Sequence, residues 1–292
     1  MTTLTAAAAS DLFRRAPDRM IDVGAGEVAV RTVGTGPDVV FVHGFPVSGA
    51  TFRGLLPHLV EHVTCHVIDL PGAGSSSFDD STEITLARHI ESIRRVVDGL
   101  GLDRYAAVGF DSGGLITRHA VVDDPRLYAL GLIDTEPEQP GFRFVMFGWN
   151  RFIPGIGRML GWISGHKRLR KNGFVFGDAF VDRSLLDGEF EEFFLVPLNE
   201  SVAKQRAAGR VFKSFDYRLM KSLPDIHARI DVPTQLVWGV DDKFFPVETA
   251  REMVKEFPNA ELTEISGAGL FSHEEKPAEV AAALLPVLTG AR

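Results

Sequence analysis

Short runs of consecutive apolar residues recur along the chain, each closed by a turn signal and followed by a stretch of helical period. They are "DVVFVHGF", "TCHVIDLPGAG", "RYAAVGFDSGG", "YALGLIDTE", "TQLVWGVDD" and "AELTEISGAG". Strands apolar at every position are buried on both faces, as in a parallel sheet covered by helices, so the pattern predicts an α/β fold. Ahead of these, "DRMIDVGAGEVAVRTVGTG" reads as a hairpin. The segment "TLARHIESIRRVVDGLGL" puts Leu86, Ile90, Ile93 and Val97 on one helical face and predicts a stop at Gly99 and Gly101. "PAEVAAALLPVL" predicts a closing helix that begins at Pro277.

The alternation breaks from about residue 138 to 225. No strand signal occurs there, and 12 of the 22 phenylalanines fall within it, beside Trp149, Trp162 and the basic run "GHKRLRKNGF". This predicts a helical cap, 138–225, inserted after the sixth strand into a core made of 1–137 and 226–292. Its underside should be apolar and its basic run a solvated helix face.

Composition then removes whole classes of function. The chain has 292 residues, 45% of them hydrophobic, enough for a large core. A net charge of -8 with interspersed signs gives no basic surface for nucleic acid. Cys65 is the lone cysteine, which excludes an intrachain disulfide and thiolate metal clusters. The alanine-rich opening "MTTLTAAAASDLFRRAPDRM" lacks a basic start and apolar run and reads as a short helix or arm rather than a secretory signal. The longest apolar runs fall far short of the ~20 residues that cross a bilayer. The expectation is a cytoplasmic monomer or homodimer with no membrane or nucleic-acid partner, acting on a small apolar substrate without metal or cofactor.

Candidate chemistry concentrates at strand ends. In "VGFDSGG" Gly109 and Gly113 flank Asp111 at two residues' distance on either side, a spacing that permits a strained strand-to-helix turn presenting the central side chain above the sheet. A carboxylate there can attack saturated carbon and form an alkyl ester. Two other readings compete: Ser112 as nucleophile, which would put Phe110 where glycine is needed, and Asp111 as a plain helix cap. In "HGFP", the Phe45 N–H together with that of Ser112 could supply paired oxyanion donors, while His43 reads as a structural hydrogen-bonder. "WGVDDKFFP" offers Asp242 as an acid that orients a histidine, with Asp241 its competitor and Glu136 of "LIDTEPE" a second candidate.

The order of these motifs resembles the α/β-hydrolase superfamily over nearly the whole chain, and implies a mostly parallel, doubly wound sheet. The aspartate at 111 is similar to the branch containing epoxide hydrolases and haloalkane or haloacid dehalogenases. The resemblance implies Asp111 as nucleophile, Phe45 and Ser112 as oxyanion-hole donors, and Asp242 as partner of a histidine. "DYRLM" resembles a late cap element of epoxide hydrolases, which makes Tyr217 a candidate donor to an epoxide oxygen or halide; Trp149 and Phe110 are further substrate contacts. Departures are clear: Tyr217 is the cap's sole tyrosine, Ser112 stands where haloalkane dehalogenases carry tryptophan, and Ser112 and Leu115 stand where fluoroacetate dehalogenases carry arginines.

The sharpest departure is in "SGAGLFSHEEKP". The resemblance implies a water-activating histidine at position 270, where this chain has leucine. Leu270 can neither accept a proton nor bond Asp242. His273, three residues on, is the weak substitute. The expectation is a scaffold that attacks a carbon–halogen or epoxide carbon–oxygen bond and releases the ester slowly. Alternatives are a non-catalytic binder of apolar ligands, or a lyase, isomerase or cyclase using Asp111 as base.

Overall fold

A computed structural model describes residues 4–24, 26–139 and 141–291. The six apolar runs form strands β3 (Asp38–Val42), β4 (Thr64–Asp69), β5 (Tyr105–Phe110), β6 (Leu127–Ile133), β7 (Thr234–Gly239) and β8 (Ala260–Ile265). The predicted hairpin supplies β1 (Arg19–Asp22) and β2 (Glu27–Gly34). All eight join one sheet in the order β1-β2-β4-β3-β5-β6-β7-β8. β2 runs antiparallel to β4, and β3 to β8 are mutually parallel. Both faces of the central strands are buried, as every residue of β5 and β7 shows. The carboxyl ends of parallel strands therefore share one edge of the sheet, where open α/β folds place their sites.

Helix Leu86–Leu100 starts at Thr85, whose hydroxyl accepts the Arg88 N–H, and ends at Gly101 in the left-handed region (φ 70°). Gly99, predicted as a stop, lies inside the helix instead. A Cβ there would come 2.6 Å from Ile21 Cγ2 of β1, so its glycine serves close packing rather than termination. The closing helix spans Pro277–Leu288 and packs on β6 and β7. Among the described residues no helix is long and apolar enough to cross a membrane.

Between β6 and β7 the chain is helical. Helices Ile156–Ser164 and Val202–Lys213 cross so closely that a Cβ on Gly157 would sit 1.8 Å from the Gln205 carbonyl oxygen. The basic run is not merely a solvated face. Arg170 is 1% exposed and its guanidinium joins Asp187 and Glu191 at 2.7 and 2.8 Å, clamping one cap segment to the next. The correction is physical: a guanidinium is tolerated in the interior when its fork meets carboxylates.

The helical stretch between β6 and β7, the expected cap, meets the loop after β8. Phe180 of the cap stacks on Phe271 (centroids 4.7 Å, planes at 2°). One Glu275 oxygen accepts the Val181 and Asp182 N–H groups, both at 2.8 Å, while the other accepts the Gly269 N–H at 2.7 Å.

Candidate active site

At the end of β5 the backbone turns sharply. Asp111 adopts φ 49°, ψ -134°, a conformation that side-chain-bearing residues rarely take, and helix Ser112–Val121 begins at the next residue. Neighbouring glycines make room for it. A Cβ on Gly113 would lie 2.4 Å from the Val42 and His43 carbonyl oxygens, and one on Gly109 would lie 2.5 Å from Gly114 Cα. The strained position is 111 and not 112, so the residue the turn presents is the aspartate; Ser112 is an ordinary helical residue.

Asp111 does not cap its own helix with its side chain. Its Oδ2 instead accepts the Phe45 N–H at 2.8 Å and lies 3.3 Å from Ser112 Oγ, with the Ser112 N–H as a further donor. The two backbone donors named from sequence thus converge on the carboxylate itself. Thr135 Oγ1 donates to the Asp111 carbonyl at 2.8 Å. Arg118, fully buried, donates to Gly114 O, Thr135 Oγ1, Glu136 O and His227 Nε2, while His227 Nδ1–H donates to Glu256 at 2.6 Å. This ladder fixes the turn from below.

Above it lies a cavity whose walls include Asp111, Ser112, Glu136, Phe45, Phe144 and Phe212. Burial raises the Asp111 carboxyl to about 6, with the Phe45 and Ser112 N–H groups holding it down. Glu136 is pushed well above the usual carboxylate range by burial and by the charge of Asp111. Asp242 is raised to about 8, again by burial first, with the Asp111 charge adding to it. Burial first, and the Asp111 charge in addition, hold the Glu136 and Asp242 carboxyls up.

Asp242 is buried and Asp241 exposed. Asp242 Oδ1 accepts the Phe244 and Phe245 N–H groups at 2.7 and 3.0 Å, whereas Oδ2 has no hydrogen-bond partner although it is buried. Leu270 is buried with the main core and is not among the residues lining the cavity.

His273 is also turned away. Its Nε2 lies 2.8 Å from Thr51 Oγ1, its ring packs on Phe110 at 4.3 Å and on Phe52 at 5.6 Å, and burial pushes it down to about 3. These rings bury it completely, and it is not among the residues lining the cavity. The structure likewise relocates two predicted substrate contacts. Phe110 is fully buried beneath the turn against Phe271 and His273. Trp149 is 68% exposed at the cap surface, because its position on helix Phe142–Trp149 faces outward. Tyr217 is half-buried, and its hydroxyl abuts Gly148, whose backbone lines the cavity. His43 is satisfied as expected, its Nδ1–H donating to Gly44 O and Nε2 accepting the Leu70 N–H.

One junction escaped the sequence reading. Asp134, at φ 36°, accepts the Gly239 N–H at 2.6 Å and the Ser272 hydroxyl, tying β6, β7 and the loop after β8 together. Nothing in "LIDTE" separates it from an ordinary loop aspartate. Among the described residues no group of three histidine, cysteine or acidic side chains could hold a metal ion.

Residues 37–277 match the alpha/beta hydrolase fold family. The chain belongs to that family. Among named relatives, a pimeloyl-[acyl-carrier protein] methyl ester esterase of Aeromonas hydrophila is 29% identical over 44% of this chain and 52% of its own length. The chain thus spans about half of the curated relatives of that name. Haloalkane dehalogenase 2 of Mycobacterium tuberculosis is 25% identical over 91% of this chain and 93% of its own length. The epoxide hydrolase CorEH superposes with a TM-score of 0.78 at 19% identity, over 94% of this chain and 99% of the other, a likeness of fold alone.

Proposed function

We propose that this family member attacks a carbon–halogen or epoxide carbon–oxygen bond through Asp111, giving an alkyl-enzyme ester whose hydrolysis is impaired by Leu270. One observation carries the reading: an aspartate at a strained turn, its carboxylate met by the Phe45 N–H, on the floor of an apolar cavity. An Asp111 oxygen bonds to the substrate carbon as the carbon's bond to halide or ring oxygen breaks, and the electron pair departs with that atom. A halide leaves as the anion. An epoxide oxygen takes a proton, and Glu136, neutral and on the same cavity wall, is the donor in reach. Hydrolysis of the ester then needs a base for water, and neither Leu270 nor His273 offers one to the cavity.

An esterase reading would make Ser112 the nucleophile. It is the weaker one, because Ser112 is helical and lacks a histidine to take its proton.

Intact mass after incubation with 1-chlorohexane and with 1,2-epoxyhexane tests the proposal. One alkyl equivalent on Asp111 is expected, accumulating faster than it is released. No adduct with either class, across a broad panel, would sink it. Glu136→Gln should slow adduct formation by the epoxide by about 10²-fold and leave the chloride reaction little changed.

A further inference from the structure

The cavity continues beyond Asp111 into a second chamber, with Phe45, Leu86, Ser112 and Val211 lining both. Most of its remaining wall is apolar, and two side chains stand apart. His89, in the first turn of helix Leu86–Leu100, is 4% exposed, and neither of its ring nitrogens has a hydrogen-bond partner. Burial keeps the ring neutral, pushed down to about 3. Lys204 enters from the cap helix Val202–Lys213. Among the described residues its ammonium forms no ion pair. The carboxylate that acts on it, Asp69, is already engaged by Arg31 Nη1 at 3.1 Å and by the Gly49 and Ser75 N–H groups, both at 2.8 Å.

A half-buried ammonium and a buried imidazole without partners are each costly to keep in an apolar wall. His43, which lines the same chamber, has both of its nitrogens satisfied. The other two have the opposite character: a cation and a neutral ring with one N–H to give, both in the wall of this chamber, with Lys204 also bordering the groove that holds Asp69.

We propose that the second chamber is an anion subsite, in which Lys204 pairs with the carboxylate of an amphiphilic substrate and His89 donates a ring N–H to it. The apolar stem runs past Phe45 and Val211 to a reactive carbon at Asp111. The substrate class is a medium-chain carboxylic acid carrying its halide or epoxide away from the acid end. This rests on the reading of Asp111 as nucleophile, and it narrows the substrate from apolar to amphiphilic.

The test is calorimetric titration of the full chain with octanoate and with octan-1-ol, which differ in the head group. Octanoate should bind at least about tenfold more tightly. Lys204→Met should erase that preference without weakening octanol, Lys204→Arg should restore most of it, and His89→Phe should reduce octanoate binding several-fold. Equal binding of the two probes, or a preference that survives Lys204→Met, overturns the subsite. The two readings fail separately. A Lys204-dependent octanoate preference without any alkyl adduct would leave the subsite standing and remove the Asp111 chemistry. An adduct from 1-chlorohexane without that preference would do the reverse.

Discussion

Two loops leave the same edge of the sheet three strands apart, after β5 and after β8, and they present very different amounts of a reaction centre. At the first, backbone strain and the clearances around Gly109 and Gly113 aim the Asp111 carboxylate into the cavity, where the Phe45 and Ser112 N–H groups meet it. At the second, the side chains turn inward. Leu270 joins the core, Phe271 stacks on the cap, Ser272 bonds Asp134 and His273 is held by Thr51. The first loop's role is built into backbone geometry shared by many residues, whereas the second loop's role rests on one side chain at position 270. On the proposed reading, a replacement at position 270 affects the second loop and leaves the first intact.

The comparison breaks most decisively at Asp111. Asp111→Asn should abolish alkylation by 1-chlorohexane, lowering the rate by more than about 10³-fold, because the amide is a poor nucleophile. A mass shift that persists in this variant would move the chemistry elsewhere. Next in size, Leu270→His should speed release of the alkyl group by about 10²–10⁴-fold, measured as steady alcohol production, since general-base catalysis is restored beside the orphaned Asp242 oxygen. No gain would mean that more than the base is missing from the second loop.

A pH profile sharpens the first loop's side of the contrast. The nucleophile must be ionised, and Asp111 is held up near 6 by burial. The alkylation rate should therefore climb with pH through about 6, losing about tenfold per unit below it. A flat profile from pH 4 to 8 would contradict the site's electrostatics. The smallest effect is expected at His273: His273→Phe should leave the alkylation rate within about twofold while costing ~1–2 kcal/mol of stability in denaturant unfolding, through the lost Thr51 bond. A larger kinetic effect would restore His273 as a base.

The fold was legible because β3 to β7 are almost wholly buried and so spell themselves as continuous apolar runs, while β8 lies at the sheet edge with only Ile265 buried. The turn at Asp111 was legible for a related reason, since tight backbone approach demands glycine and glycine has no substitute there. What stayed hidden depends on side-chain direction across long sequence separations. His273 and Thr51 are 222 residues apart, and no local pattern reveals that they bond. Trp149 and Phe110 were named for their chemistry, but helix facing and strand side decide whether chemistry reaches a cavity. His89 and Lys204 carried no motif; they matter through a wall assembled from both core and cap.

Glu275 fixes the course of the second loop. Its two oxygens grip Gly269 on one side and Val181 and Asp182 on the other. None of these contacts involves the side chain at 270. The loop is therefore a fixed socket whose occupant can be exchanged without re-laying the chain, which makes the chemistry of position 270 a modular property of this scaffold.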